Sequence, residues 1–298
     1  MQLLVTGLSG FVGSYCAEQL DGVDLRLDGR LADLRLREEV TASVDQVRPG
    51  AVIHLAAQSW VPASFEDPVS TYDVNFFGTL NLLRALKDTG FTGRMLYVGS
   101  ADSYGAVPEV ELPVVETRSP KPLNPYAVSK AAAEALCYQW SQTEPFEIVM
   151  ARPFNHIGPR QSTRFAVASF ARQIAACRAG RGSRKLVVGD AETTRDFTDV
   201  RDIVRAYASL LQRGRNGEAY NVCSGVERKV RDVIDAMMRA ANVDMAIEVE
   251  AGLLRKSEQR RMLGSFAKLN ADCGWSPEIP FERTLLDTLD YWNQEDAP

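Results

Sequence analysis

Histidine is scarce in this 298-residue sequence. Only His54 and His156 occur, and neither has a second plausible ligand at metal-binding spacing, which argues against a structural zinc site. Cysteine is sparse as well. Cys16, Cys137, Cys177, Cys223 and Cys273 are odd in number and far apart, without a C-x-x-C pair, so buried free thiols are expected rather than a disulfide framework. No apolar run approaches the roughly 20 residues of a membrane span. No basic segment precedes Leu3, Leu4 and Val5, so neither a membrane anchor nor an export leader is expected, and the location this implies is cytoplasmic. The net charge of -5 is made of both signs mixed throughout, and no lysine or arginine stripe interleaves with aromatics. Nucleic acid is therefore not an expected partner.

What the sequence does have is apolar content, 45%, enough for a substantial core. Short β-rich runs at 3–6, 23–27, 51–55, 95–99 and 148–151 alternate with amphipathic stretches. That rhythm predicts an α/β fold with a Rossmann-type doubly wound parallel sheet. Asn124 followed by Pro125 predicts a capped helix start ahead of an alanine-rich run. After Arg152 the elements shorten, and Gly and Pro scatter through 155–159 and 180–182. The expected division is a dinucleotide domain over 1–152, with 195–213 returning to it. A smaller, interrupted α/β substrate domain would take 153–194 and 214–298.

The segment TGLSGFVG, residues 6–13, follows the first predicted strand and runs into a helix. Glycines at 7, 10 and 13 permit a tight reversal, let the backbone approach a pyrophosphate and bring the helix close to the sheet, so that phosphate meets the helix N-terminus. This predicts a bound NADPH or NADH. Asp28, near the end of the second strand, would suit the ribose hydroxyls of NADH; Arg30 would suit the 2′-phosphate of NADPH, and either could be a surface charge. Asp33 and Leu34 could reach the adenine edge.

Tyr126 and Lys130 are one helical turn apart on one face. An ammonium beside a phenol favours the phenolate, so Lys130 is expected to lower the Tyr126 pKa from about 10 toward working pH and suit it to donate a proton to a carbonyl oxygen. Such a pair also arises by chance. Ser100 adds weight to it, because it follows a strand at the carboxyl edge of the sheet, where open α/β folds place ligands.

Taken together, TGLSGFVG, His54-Leu55-Ala56-Ala57, Asn75 within NFFGTLNLL, GSADSYG, YAVSK, RPFNHIGP, RDFTDVRD, YNVCSG and CGWSP span almost the whole chain. In this combination the sequence resembles the extended short-chain dehydrogenase/reductases that act on nucleotide sugars. The resemblance implies that Ser100, Tyr126 and Lys130 are catalytic. It implies that Gly7, Gly10, Phe11, Val12, Gly13, Leu55, Ala56, Ala57, Tyr126, Lys130 and Arg152 hold the cofactor. Asp102, Asn155, Arg195, Arg255 and Glu258 would belong to the sugar-nucleotide site, where an arginine fork can bond two diphosphate oxygens. Arg195 could instead pair with Asp196 or Asp199, and Arg255 could lie on a solvated face. His156 could touch substrate or be a buried, hydrogen-bonded histidine.

Related 4,6-dehydratases carry a Glu two residues after the catalytic hydroxyl residue, whereas here Ala101 and Asp102 follow Ser100. That disfavours elimination and leaves hydride transfer to an existing ketone. The segments RPFNHIGP, TRDFTDV, YNVCSG and SEQRR resemble the reductases of the group. They imply reduction of the C4 ketone of GDP-4-dehydro-6-deoxy-D-mannose to GDP-D-rhamnose, a step supplying cell-surface polysaccharide. A dehydratase, a 4-epimerase using the same three residues and a non-catalytic dinucleotide sensor are the alternatives. The resemblance also implies a homodimer formed by the helices bearing Tyr126 and Asn75, for which Val74, Leu80 and Leu83 suit either core or interface.

Overall fold

The computed structural model describes residues 2–253 and 259–295. In chain order the first unit runs β1 (Leu3–Thr6), α1 (Phe11–Leu20), β2 (Arg26–Leu27), β3 (Arg30–Leu31), α2 (Arg37–Val47), β4 (Ala51–His54), α3 (Val61–Glu66), α4 (Pro68–Tyr72), α5 (Gly78–Asp88), β5 (Arg94–Val98), α6 (Pro125–Thr143) and β6 (Glu147–Pro153). There follow β7 (Asn155–Ile157), α7 (Ala166–Arg178), β8 (Lys185–Val188), β9 (Thr194–Asp199), α8 (Val200–Arg213), β10 (Ala219–Val222), β11 (Glu227–Lys229), α9 (Val230–Ala241), β12 (Ala246–Val249), α10 (Ala267–Cys273) and α11 (Phe281–Glu295).

The central sheet is parallel, in the order β1-β4-β5-β6-β10. Its strands read as nearly continuous apolar runs because helices cover both faces. On one face β1, β4 and β6 pack with α1, α8 and α10; on the other they pack with α2, α5 and α6. Helix α8 buries Val200, Ile203, Val204, Tyr207 and Leu210, one stripe at helical spacing, each aliphatic side chain contributing about 1.5–3 kcal/mol of burial. Trp275 of the late CGWSP segment lies in the same layer and donates its indole N–H to the Asp202 carbonyl at 3.1 Å. A three-stranded sheet, β11-β9-β7, and a two-stranded one, β12-β8, form a second core with α7, α9 and α11. Among the described residues, no helix is long and apolar enough to cross a membrane.

Two expectations need correction. The predicted strand at 23–27 is largely lost: Val23 makes a single parallel bridge to Leu4, and β2 instead folds back antiparallel on β3 through Asp28 and Gly29, both at positive φ. An Asp-Gly pair is a strong signal for such a hairpin, and the carboxylate of Asp24 is drawn off to the loop after β1. The segments expected to return also differ. Helix α8 covers the central sheet, whereas β9 stays in the three-stranded sheet, and β10, assigned from sequence to the substrate domain, pairs with β6.

Leu83 is fully buried beneath α5, so it is core. The apolar side chains left exposed on α3, α4, the turn after α4 and α6 are Phe65, Val69, Phe77, Val128 and Tyr138.

Candidate active site

The loop after β1 is shaped by steric necessity. Gly7 sits at φ +82°, with the Ala56 backbone 3.0 Å from where a Cβ would stand. A Cβ on Gly13 would lie 2.1 Å from the Gly7 carbonyl oxygen, and one on Gly10 would lie 3.2 Å from it. Asp24, which sequence reasoning missed, fixes the turn: its carboxylate accepts from the Gly7 and Leu8 amides at 3.2 and 3.0 Å. The available signal was an acid inside the apolar run GVDLRL. Helix α1 then starts at Phe11 and Val12 with no side-chain cap from the described residues and no acid in its first turn. Its first amides therefore face the loop as a ready anion site, and the close glycine cradle fits a dinucleotide pyrophosphate.

Around this loop the expected cofactor residues divide. Ala56 and Ala57 follow β4 beside Gly7, and the Ala56 amide donates to the Thr6 hydroxyl at 3.2 Å; Leu55 packs against the layer of α1. Asp28 occupies the β2-β3 hairpin turn. Arg30 is held by Glu39 through two bonds of 2.6 and 2.8 Å, and Asp33 pairs with Arg35 at 2.6 Å. The Leu34 side chain is packed in the core, with its Cβ 3.0 Å from where a Cβ on Gly78 would lie, so only its backbone is left to meet an adenine edge. Arg152 is likewise corrected. Its guanidinium is buried, bonded to Glu134 and to the Tyr104 hydroxyl, rather than turned to a cofactor.

The Asn124 side chain accepts from the Ala127 amide at 2.7 Å and starts α6 at Pro125. This capped helix carries Tyr126 and Lys130. Ser100 stands at the end of β5, caps the 3-10 turn Ala101–Tyr104 by accepting from the Asp102 amide at 3.1 Å, and is hydrogen-bonded with Tyr126. Burial raises the Tyr126 pKa well above the ordinary phenol value; the Asp102 carboxylate adds to the rise and the bond with Ser100 opposes it. The expected drop is thus reversed, because burial disfavours phenolate and the nearby charge that acts on it is negative. Lys130 lies over the Tyr97 ring at 5.0 Å, its pKa pulled down to about 8 by burial, with Cys137 and Glu134 acting the other way. The Tyr97 hydroxyl donates to the Lys130 carbonyl at 3.1 Å.

Asn75 lies in a π-helical turn between α4 and α5, and its amide donates to Ser129 of α6 at 2.9 Å and to the Gln58 carbonyl at 3.0 Å. Beneath it, Thr79 donates to the Asn75 carbonyl and so accepts from His54 Nε2, which leaves His54 Nδ1 to accept from Thr6. Burial holds this imidazole neutral, with its pKa pushed to about 3.

On the substrate side, Asn155 is exposed on β7, and His156 stacks on Phe11 of the dinucleotide loop, ring centroids 6.0 Å apart, with Nδ1 bonded to the Phe154 carbonyl. Arg195 lies on β9 opposite Arg228 and donates to the Thr194 carbonyl. Asp196 is fully buried, staples Ser224, Gly225 and Gly264, and so explains the YNVCSG segment; Asp199 pairs with Arg201. Arg255 and Glu258 lie outside the described residues.

A doubly wound sheet, a glycine cradle at its first turn and a Ser, Tyr and Lys gathered at its carboxyl edge define an extended short-chain dehydrogenase/reductase, and the chain belongs to the GDP-mannose 4,6 dehydratase family, whose sequence model matches residues 22–288. It is 46% identical to the GDP-6-deoxy-D-mannose reductase of Pseudomonas aeruginosa over 98% of this chain and 97% of that protein. A solved structure of RMD from Pseudomonas aeruginosa complexed with NADPH superposes with a TM-score of 0.93, at 45% identity over 99% of both chains. A UDP-glucose 4-epimerase of Thermus thermophilus in complex with NAD gives 0.84, at 33% identity over 98% of this chain and 99% of that one.

Proposed function

We propose that this chain is an NAD(P)H-dependent oxidoreductase that reduces the C4 ketone of GDP-4-dehydro-6-deoxy-D-mannose to GDP-D-rhamnose. The observation that carries the reading is a phenol kept protonated, Tyr126, bonded to Ser100 at the sheet edge. Two hydroxyls side by side can grip one ketone oxygen, and the phenol can release its proton to the alkoxide as charge develops. A bound nicotinamide would supply the hydride to C4. Lys130 places a cation beneath the site and would hold the nicotinamide ribose. Asn155, Arg195, Arg255 and Glu258 would take the sugar nucleotide. The likeness to a GDP-6-deoxy-D-mannose reductase over nearly the whole chain supports the same substrate. The protein would act in the cytoplasm, as a homodimer joined through the exposed apolar side chains of α3, α4 and α6.

The test is stereochemical. Incubation with GDP-mannose, a 4,6-dehydratase and NADPH is expected to yield GDP-D-rhamnose, resolved by chromatography and proton NMR. The talose epimer, or no reduced sugar, would overturn the reading. The rate also carries a pH signature. Lys130 bears its charge below its pKa of about 8 and loses it as pH rises through that value, while burial pushes the Tyr126 phenol the other way, above its ordinary value. The pH profile of kcat/KM is therefore expected to be flat on the acid side and to fall above about pH 8. A profile still flat at about pH 10 would contradict a role for the Lys130 charge.

A further inference from the structure

Arg152 is 6% exposed and its partner Glu134 7%. Nε and Nη2 of Arg152 donate to the Glu134 carboxylate at 3.0 and 2.5 Å, while Nη1 donates to the Tyr104 hydroxyl at 2.9 Å and to the Glu116 carbonyl at 3.1 Å. The guanidinium also lies 4.9 Å from the Tyr104 ring centroid. The Tyr104 hydroxyl donates onward to Asn221 Oδ1 at 2.7 Å; the Asn221 side-chain amide donates to the Val114 carbonyl, and its backbone amide donates to Glu116.

A buried ion pair is poor value as a stabiliser, since an apolar set of the same volume serves as well or better. It can, however, fix geometry, because a planar fork accepts its partners in one arrangement only. Here the fork joins two elements whose relative placement matters. Glu134 is on α6, two turns beyond Tyr126, and Tyr104 ends the 3-10 turn that Ser100 begins. Arg152 itself sits on β6, between them in the sheet layer.

We propose that Arg152 is a positioning residue: through Glu134 and Tyr104 it locks the Ser100 turn against the Tyr126 helix and so sets the spacing of the two hydroxyls that grip the ketone. The inference rests on the reading of Ser100 and Tyr126 given above. The Arg152 bonds given above all run to protein groups, so its effect falls on the chemical step rather than on binding.

Tyr104→Phe removes one hydroxyl and leaves the Arg152–Glu134 pair intact. Arg152→Lys keeps the charge and loses the fork, and it serves in place of Tyr104→Phe if that variant does not fold. In either variant kcat for the GDP-4-keto sugar is expected to fall about 10-fold, with KM for sugar and NADPH within about 2-fold, since small misplacements cost the chemical step most. In protein labelled with 13Cζ-tyrosine and bound to NADPH, the Tyr126 resonance, assigned by its absence in Tyr126→Phe, is expected to move. Unchanged kcat or an unmoved Tyr126 resonance overturns the proposal, whichever accompanies the other. If the wild-type protein does not reduce the sugar, the functional reading falls instead, and the resonance alone decides: moved supports the tie, unmoved overturns it.

Discussion

Tyr126→Phe is expected to lower kcat by about 10²-fold or more while NADPH binds within about 2-fold of wild type. The split follows from the geometry. The ring of residue 126 remains on α6, Lys130 is untouched, and the glycine cradle lies on another element, so the groups expected to hold the cofactor stay in place apart from the one hydroxyl. What disappears is the proton. Burial favours the un-ionised phenol, which can then enter the reaction as an acid. Ser100 would still hold the ketone oxygen, and the alkoxide would have to draw its proton from water. Single-turnover decay of NADPH absorbance with saturating sugar, set beside a fluorescence titration of NADPH binding, separates the two quantities. Unchanged turnover would remove Tyr126 from the mechanism.

Gly13→Ala is expected to weaken NADPH binding by about 10²-fold or more, and to cost about 1–3 kcal/mol of stability from overpacking. The added methyl would stand 2.1 Å from the Gly7 carbonyl oxygen and 2.6 Å from Leu8 Cα. Both obstacles are backbone, so no rotamer change relieves the clash. Either α1 backs away from the sheet or the turn opens, and each outcome moves the amides of Phe11 and Val12 from the pyrophosphate they would meet. Gly10→Ala is the internal comparison, because its methyl would meet the same oxygen at 3.2 Å, a contact that a few tenths of an ångström relieves. Titration of both variants with NADPH, alongside their thermal midpoints, checks the ranking. Equal affinity for Gly13→Ala and wild type would show that the loop does not carry the pyrophosphate.

The local signals in the sequence were the legible ones. The cap at Asn124, the turn of Gly7, Gly10 and Gly13, and the strands expected at 3–6, 51–55 and 95–99 depend on near neighbours, and the strands are found at Leu3–Thr6, Ala51–His54 and Arg94–Val98. Ser100, Tyr126 and Lys130 do gather at one edge. Readings that depended on distant partners did not survive. The protonation of Tyr126 could not be inferred from Lys130 one turn away, because burial and Asp102 act on it more strongly. The resemblance put Arg152 on the cofactor, and its bond to Glu134, 18 residues distant, was not read, although a lone acid in the run AAAEAL was a usable hint. The β2-β3 hairpin replaced a strand because Asp24 serves the loop, a role that no periodicity encodes.

The return of the chain to the central sheet at β10 has a consequence for biosynthesis. Residues 219–222 pair with β6 some seventy positions after the chain has left it. Between the two strands it builds β7 and β9 of another sheet and passes through α8. On the ribosome, β6 therefore emerges as an open edge of apolar parallel strand, unprotected until residue 222 has been made. Such edges recruit foreign strands, so the interval between the synthesis of β6 and β10 exposes this chain to mispairing at that edge.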